Sequence, residues 1–241
     1  VFSFRINYNE IMKKLLILLL SIVISSCVDP QDLDFSLSIF CAESPKIKGK
    51  DGLFYLPNEE LPYSGDNICI YKGSGGYAIQ GEIKNGVKYG VETSWYKNGQ
   101  IMKKGNFIDG KEAGNWAVWY ENGQITAKGN FIDGKEYGKM TSWYENGQKW
   151  GEGNFIDGKE DGKMTGWYEN GQKSEEGNFI DGKEDGKMTR WYENGQKSEE
   201  GNFIDGKEDG KMTSWNEDGT ISSEVIYKDG ECISGDCSLV E

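Results

Sequence analysis

Six tryptophans, Trp95, Trp119, Trp143, Trp167, Trp191 and Trp215, stand 24 residues apart, and in each of the five intervals Gly-Asn-Phe-Ile-Asp-Gly-Lys-Glu recurs unchanged. A chain that repeats one short unit this closely does not build a single irregular core. Each unit buries its apolar face against its neighbours, and the stack becomes the fold. The unit is well represented by Trp167 to Arg190, WYENGQKSEEGNFIDGKEDGKMTR.

Two turns are legible in it. Asn-Gly, at Asn98-Gly99, Asn122-Gly123, Asn146-Gly147, Asn170-Gly171 and Asn194-Gly195, is a strong hairpin signal, because a two-residue turn asks for positive φ at both positions. Asp157 to Gly162 and its equivalents predict a longer turn bounded by glycines. Between them lie two short strands, Gly-Asn-Phe-Ile and Lys-Met-Thr-X-Trp-Tyr, so each unit is one antiparallel hairpin. Strand alternation sends Thr165 and Trp167 to one face and Met164, Gly166 and Tyr168 to the other. The expectation is a tryptophan file on one face and a tyrosine file on the other, each covering glycine-rich backbone. The position before each Trp varies most (Ser94, Val118, Ser142, Gly166, Arg190, Ser214) and is expected in solvent.

The array spans residues 51–230, with a C-terminal cap or tail at 231–241. A divergent first unit is expected at 52–65 and a second from about Ile70, and the last unit carries Asn216 where the others have Tyr. Irregular terminal units suit the capping of an open stack. Only 36% of residues are hydrophobic, whereas glycine numbers 34 and aromatics reach 13%. That balance suits short strands and tight turns. The fold class is all-β: an elongated single-layer antiparallel sheet of repeated β-hairpins.

Gly-X-Phe-X-Asp-Gly-Lys-X-X-Gly, an aromatic pair and then Asn-Gly resemble the MORN repeat, and the 24-residue spacing with Trp-Tyr-X-Asn-Gly-Gln is similar to the MORN-variant family of bacterial proteins, over about residues 52–230. The resemblance implies the same single-layer sheet of hairpins. Some members are classed as antitoxins, which implies an alternative role in binding and neutralising a partner toxin.

The N-terminal region reads as an address. Residues 1–11 precede a plausible start at Met12 and are set aside as an over-extended gene start. Residues 12–26 form a signal segment: Met12-Lys13-Lys14 is its positive start, and Leu15 to Ile24 is apolar but too short to span a bilayer. Ser25-Ser26-Cys27 resembles a bacterial lipobox, which implies lipidation of Cys27 and residues 27–50 as a tether. Asp directly after such a cysteine resembles an inner-membrane retention signal. Val28 stands there instead, so the expected location is the cell envelope, at the outer membrane or cell surface. Cys41, Cys69, Cys232 and Cys237 then lie in a compartment that permits disulfides. Each repeat adds about 10 Å of sheet, and a disulfide needs Cα atoms within about 7 Å, so the expected pairs are Cys41 with Cys69 and Cys232 with Cys237.

A net charge of −13 disfavours nucleic acid as a partner. With no histidine, the commonest general base and metal ligand is missing, and the sequence contains no G-x-S-x-G, Walker, CxxC or HExxH pattern. The Asp109, Asp133, Asp157, Asp181 and Asp205 file is better read as a solvated edge than a calcium ladder, since Lys follows each Asp-Gly. No catalytic residue, metal or cofactor is expected. Off the main period stand Trp116 and Trp150, which with Arg190 are the candidate contacts for a protein partner. The expectation is a membrane-anchored, non-enzymatic scaffold or protein-binding module.

Overall fold

The computed structural model describes residues 39–41, 47–49 and 51–237. Contacts divide the chain into two units, Val1–Phe40 and Cys41–Glu241. The expected over-extended gene start at 1–11, the expected signal segment at 12–26, and Cys27 with most of the expected tether at 27–50 lie outside the described residues.

The fold is nearly all strand, in one open antiparallel sheet of hairpins. From Gly65–Tyr71 through Tyr77–Lys84, Val87–Trp95 and Ile101–Ile108, each strand pairs with the next in the chain. The pattern continues to Ile221–Lys228 and a closing strand, Glu231–Gly235. A regular repeat contributes a Phe strand, such as Lys149–Ile156, and a Trp strand, such as Gly162–Trp167, preceded by the two-residue strand Lys159–Glu160. Residues 52–65 do not add a hairpin to this sheet. Phe54–Tyr55 pairs with Ile47–Lys48 in a separate two-stranded sheet, and Gly86 docks beside it, its amide donating to the Tyr63 carbonyl and its carbonyl accepting from the Phe54 amide.

The turns differ in kind from the expectation. Asp-Gly is the tight turn: Asp157 and Gly158 have φ of 53° and 81° between the paired residues Ile156 and Lys159, the positive–positive geometry of a type I′ turn. Asn-Gly closes a longer loop. The Tyr144 amide donates to the Gln148 carbonyl, and of the two loop residues only Gly147, not Asn146, has positive φ. Asn146 instead accepts from the Gln148 amide through its own side chain, at 2.8 Å. This makes an Asx-turn.

A bulge follows in each repeat. Ser142 pairs with Gly151 and Trp143 with Lys149, leaving Trp150 as the extra residue. On one face Phe107, Phe131, Phe155, Phe179 and Phe203 are buried, with Met140, Met188 and Met212 beside them. Each Met lies on a glycine of the neighbouring strand: a Cβ at Gly177 would fall 1.5 Å from the Met188 sulfur. The core file is therefore Phe and Met on glycine, not Tyr. The variable position shares this face, so Ser94, Ser142 and Gly166 are buried rather than in solvent. The Tyr side chains instead sit at the Asn-Gly loops.

Candidate functional site

Repeats are joined by three ladders. Tyr71, Tyr96, Tyr120, Tyr144, Tyr168 and Tyr192 each donate a hydroxyl hydrogen bond to the carbonyl of the next repeat's Trp, at 2.6–2.8 Å. The side-chain amides of Asn98, Asn146, Asn170 and Asn194 donate to the carbonyl of Glu121, Glu169, Glu193 and Glu217. At the opposite edge Lys111, Lys135, Lys159 and Lys183 pair with Asp133, Asp157, Asp181 and Asp205 of the following repeat. Those aspartates belong to an ion-pair ladder, and among the described residues no acidic or cysteine cluster has metal-binding geometry.

The face opposite the Phe–Met file carries the tryptophans. In the regular repeats it is a lattice of paired charges. Glu152 is held by Lys139 at 2.8 Å and Lys149 at 2.6 Å, Glu176 by Lys163 and Lys173, and Glu200 by Lys187 and Lys197. These lysine hydrogen bonds hold the three carboxyls below their usual range. Lys149, Lys173 and Lys197 also lie over the rings of Trp167, Trp191 and Trp215, 5.4–5.8 Å from the centroids. Such cation–π contacts contribute about 0.5–1 kcal/mol each at exposed sites.

Toward the N-terminus this lattice gives way to an open groove of about 760 Å3, lined by Lys104, Asn106, Trp119, Lys128, Asn130 and Trp143 among others. One cross-strand row runs Lys104, Ala117, Lys128, Thr141, Glu152. In it Lys104 and Lys128 stand where later repeats have Glu152, Glu176 and Glu200. Neither lysine forms an ion pair among the described residues, and the Lys128 ammonium lies 5.3 Å from the centroid of Trp143.

Of the residues singled out from the sequence, Trp116 lines the groove, and Trp150 and Arg190 lie outside its lining. Trp116 holds the register position of Met140 one repeat earlier and is 5% exposed. It packs edge-on against Phe107 at 5.1 Å and Phe131 at 6.2 Å, so it is a core residue that also lines the floor of the groove. Trp150 is the bulge residue, half-buried, with its ring 6.3 Å from Tyr144. Arg190 lies on the Phe–Met face, bound to Glu199 and, at 3.1 Å, to Glu184. Burial pushes the Glu184 carboxyl up, and Arg190 opposes that shift. The groove lysines were missed, although comparing repeats column by column shows lysine replacing glutamate at 104 and 128.

Cys232 and Cys237 form a disulfide with Cα atoms 5.8 Å apart, stapling the last strand. Cys69 is also disulfide-bonded. The side chain of Cys41, its expected partner, lies outside the described residues.

The sequence model of the MORN repeat variant matches six segments, 88–109, 113–133, 136–157, 160–181, 184–205 and 208–229. The chain belongs to this family. Curated proteins give no match. MORN repeats form a repeat-based protein-binding or scaffold module, generally non-catalytic. In this MORN chain the repeated residues are accounted for by turns, packing and ladders, and the groove is where the pattern departs from itself.

Proposed function

We propose that this chain is a non-enzymatic MORN scaffold, anchored by a lipid on Cys27 to the cell envelope, that binds a protein partner along its sheet. The observation that carries the reading is the triple ladder between repeats. Tyr hydroxyls, Asn amides and Lys–Asp pairs fix each repeat to the next, so the Trp face is a preorganised platform, and preorganisation reduces the ordering cost of association. The anchor rests on Lys13-Lys14, the apolar run to Ile24 and Ser25-Ser26-Cys27. Val28 in the place of a retention aspartate favours the outer membrane or cell surface.

Two measurements test it. Cys27→Ala is expected to move the protein from the membrane fraction to the soluble one; unchanged fractionation with palmitate labelling intact would sink the anchor. The soluble form beginning at Val28, immobilised and exposed to envelope extract, is expected to retain a defined protein stoichiometrically. Retention of nothing above a scrambled-repeat control would overturn the binding role.

A further inference from the structure

We propose that the groove over Lys104, Lys128, Trp119 and Trp143 docks an acidic, extended segment of the protein partner. The inference rests on the scaffold reading above and gives it a site and a chemistry. The argument comes from three columns of the repeat that change together. In the regular repeats Glu152 is flanked by Lys139 and Lys149, which neutralise it. One repeat earlier the same three positions hold Lys128, Asn115 and Ile125, and one repeat before that Lys104, Val91 and Ile101. The central charge is reversed and both flanking charges are removed. Had the glutamate alone become lysine, three ammonium groups would have crowded one another. The concerted change leaves a single cation in each repeat that forms no ion pair among the described residues, while Glu152, which also lines the groove, is already held by Lys139 and Lys149.

On a chain of net charge −13, a strip that presents two lysines with no ion pair among the described residues fits an anionic partner, and interfaces are selected for such complementarity. Spacing favours a polypeptide. Lys104 and Lys128 are separated in the sheet by one strand, through Ala117, which places them about 10 Å apart. Three residues of extended chain cover the same distance at about 3.3 Å each. Ala117 occupies the column that carries Thr141, Thr165 and Thr189 in later repeats, which leaves room for backbone between the two lysines. The half-buried indoles of Trp119 and Trp143 border the strip and supply apolar contact, and Asn106 and Asn130 supply amides able to bond a peptide backbone.

The substitution that tests this is already written in the molecule. Lys104→Glu with Lys128→Glu restores the residue found at the same column in the regular repeats. Lys104→Gln with Lys128→Gln is the neutral counterpart, should the reversed pair fail to fold by circular dichroism. The soluble form from Val28 is titrated with an oligoglutamate peptide, a glycine–serine peptide of the same length and a neutral gluco-oligosaccharide, followed by calorimetry. Oligoglutamate is expected to bind in a salt-sensitive manner and to lose about tenfold in affinity per reversed charge, about a hundredfold for the double variant, while the other two probes do not bind. Equal affinity in wild type and charge-reversed variant overturns the proposal. So does binding of the oligosaccharide in preference to the acidic peptide. A partner held equally well by both forms overturns the groove and leaves the scaffold standing. Lysine-dependent oligoglutamate binding with no partner from extract supports the groove and removes the scaffold reading.

Discussion

The repeats between Lys135 and Trp215 and those between Val87 and Ile132 share turns, ladders and strand pairing, yet they distribute charge in opposite ways. In the later region the Phe–Met face is built mainly of Met on Gly, with Arg190 paired to Glu184 and Glu199, and the Trp face is charged but paired. In the earlier region the Phe–Met face holds the ion pairs Lys88–Glu92 and Lys103–Glu112, with side chains 7–15% exposed. Lys88 and Lys103 lie over the rings of Phe107 and Trp116, and the Trp face carries Lys104 and Lys128 without ion pairs among the described residues. The same backbone thus tolerates two chemistries. Where the unit is copied unchanged it extends the paired lattice, and where it departs it opens the groove.

The largest effect expected from this contrast is at Lys103. Burial pulls its ammonium below the usual lysine range, opposed by Glu112, whose carboxylate is 3.1 Å away. Lys103→Met keeps the packing on Trp116 but leaves Glu112 with that cation gone, and is expected to cost about 3 kcal/mol. Replacing both partners by Met should recover most of the loss. Lys187→Met, whose side chain is 65% exposed in its pair with Glu200, should cost under about 0.5 kcal/mol. Urea midpoints for the four proteins decide it: equal losses at Lys103 and Lys187 would erase the distinction between the regions.

Next in size is the glycine beneath the core file. A Cβ at Gly105 would lie 1.9–2.3 Å from three ring atoms of Trp116, whereas at Gly153 it would meet the Met164 sulfur at 1.8 Å and its methyl at 2.4 Å. The indole is rigid and already wedged between Phe107 and Phe131, while a thioether side chain can change rotamer. Gly105→Ala is therefore expected to cost about 2 kcal/mol and Gly153→Ala about 1 kcal/mol. Thermal unfolding of the two variants side by side measures the difference. A larger loss at Gly153 would show that the Met file is the stiffer of the two.

The hairpin stack and its single-layer sheet were legible because a 24-residue period with glycine turns leaves few alternatives. The choice of which turn is tight was not. Asn-Gly and Asp-Gly carry the same signal, and what separates them is a tertiary bond: the Asn146 amide is engaged with the Glu169 carbonyl, 2.9 Å away in the next repeat. The core file was misassigned because alternation from Trp says nothing of which face is covered. That is settled by Met lying on Gly and by the Tyr hydroxyl leaving the sheet face for the next repeat. Trp116 was selected as off-period, yet its column holds Met, so it is a large apolar substitute at a core position. The groove was encoded throughout, in lysines that resemble every other lysine until they are aligned by repeat.

The smallest effect is one in which the two regions should agree. The Tyr ladder runs through both, so Tyr96→Phe and Tyr144→Phe each remove a hydroxyl bonded to a Trp carbonyl at 2.8 Å, and each is expected to cost about 1 kcal/mol. The ladder also carries a pH signature. Burial, followed by the negative charge of Glu169, pushes Tyr144 up from its ordinary 10.0 to about 12. Burial raises Tyr71, Tyr96, Tyr120 and Tyr168 in the same direction. A folded-state pKa above the unfolded value means the contribution is complete below pH 10 and is lost as pH climbs toward 12, because the unfolded chain sheds the proton first. Unfolding midpoints across that window should fall steeply for the wild type and less steeply for either Phe variant. A variant at Tyr144 that leaves the slope unchanged, with Tyr96 altering it, would confine the ladder's contribution to the groove-bearing repeats and make them the structural anchor of the array.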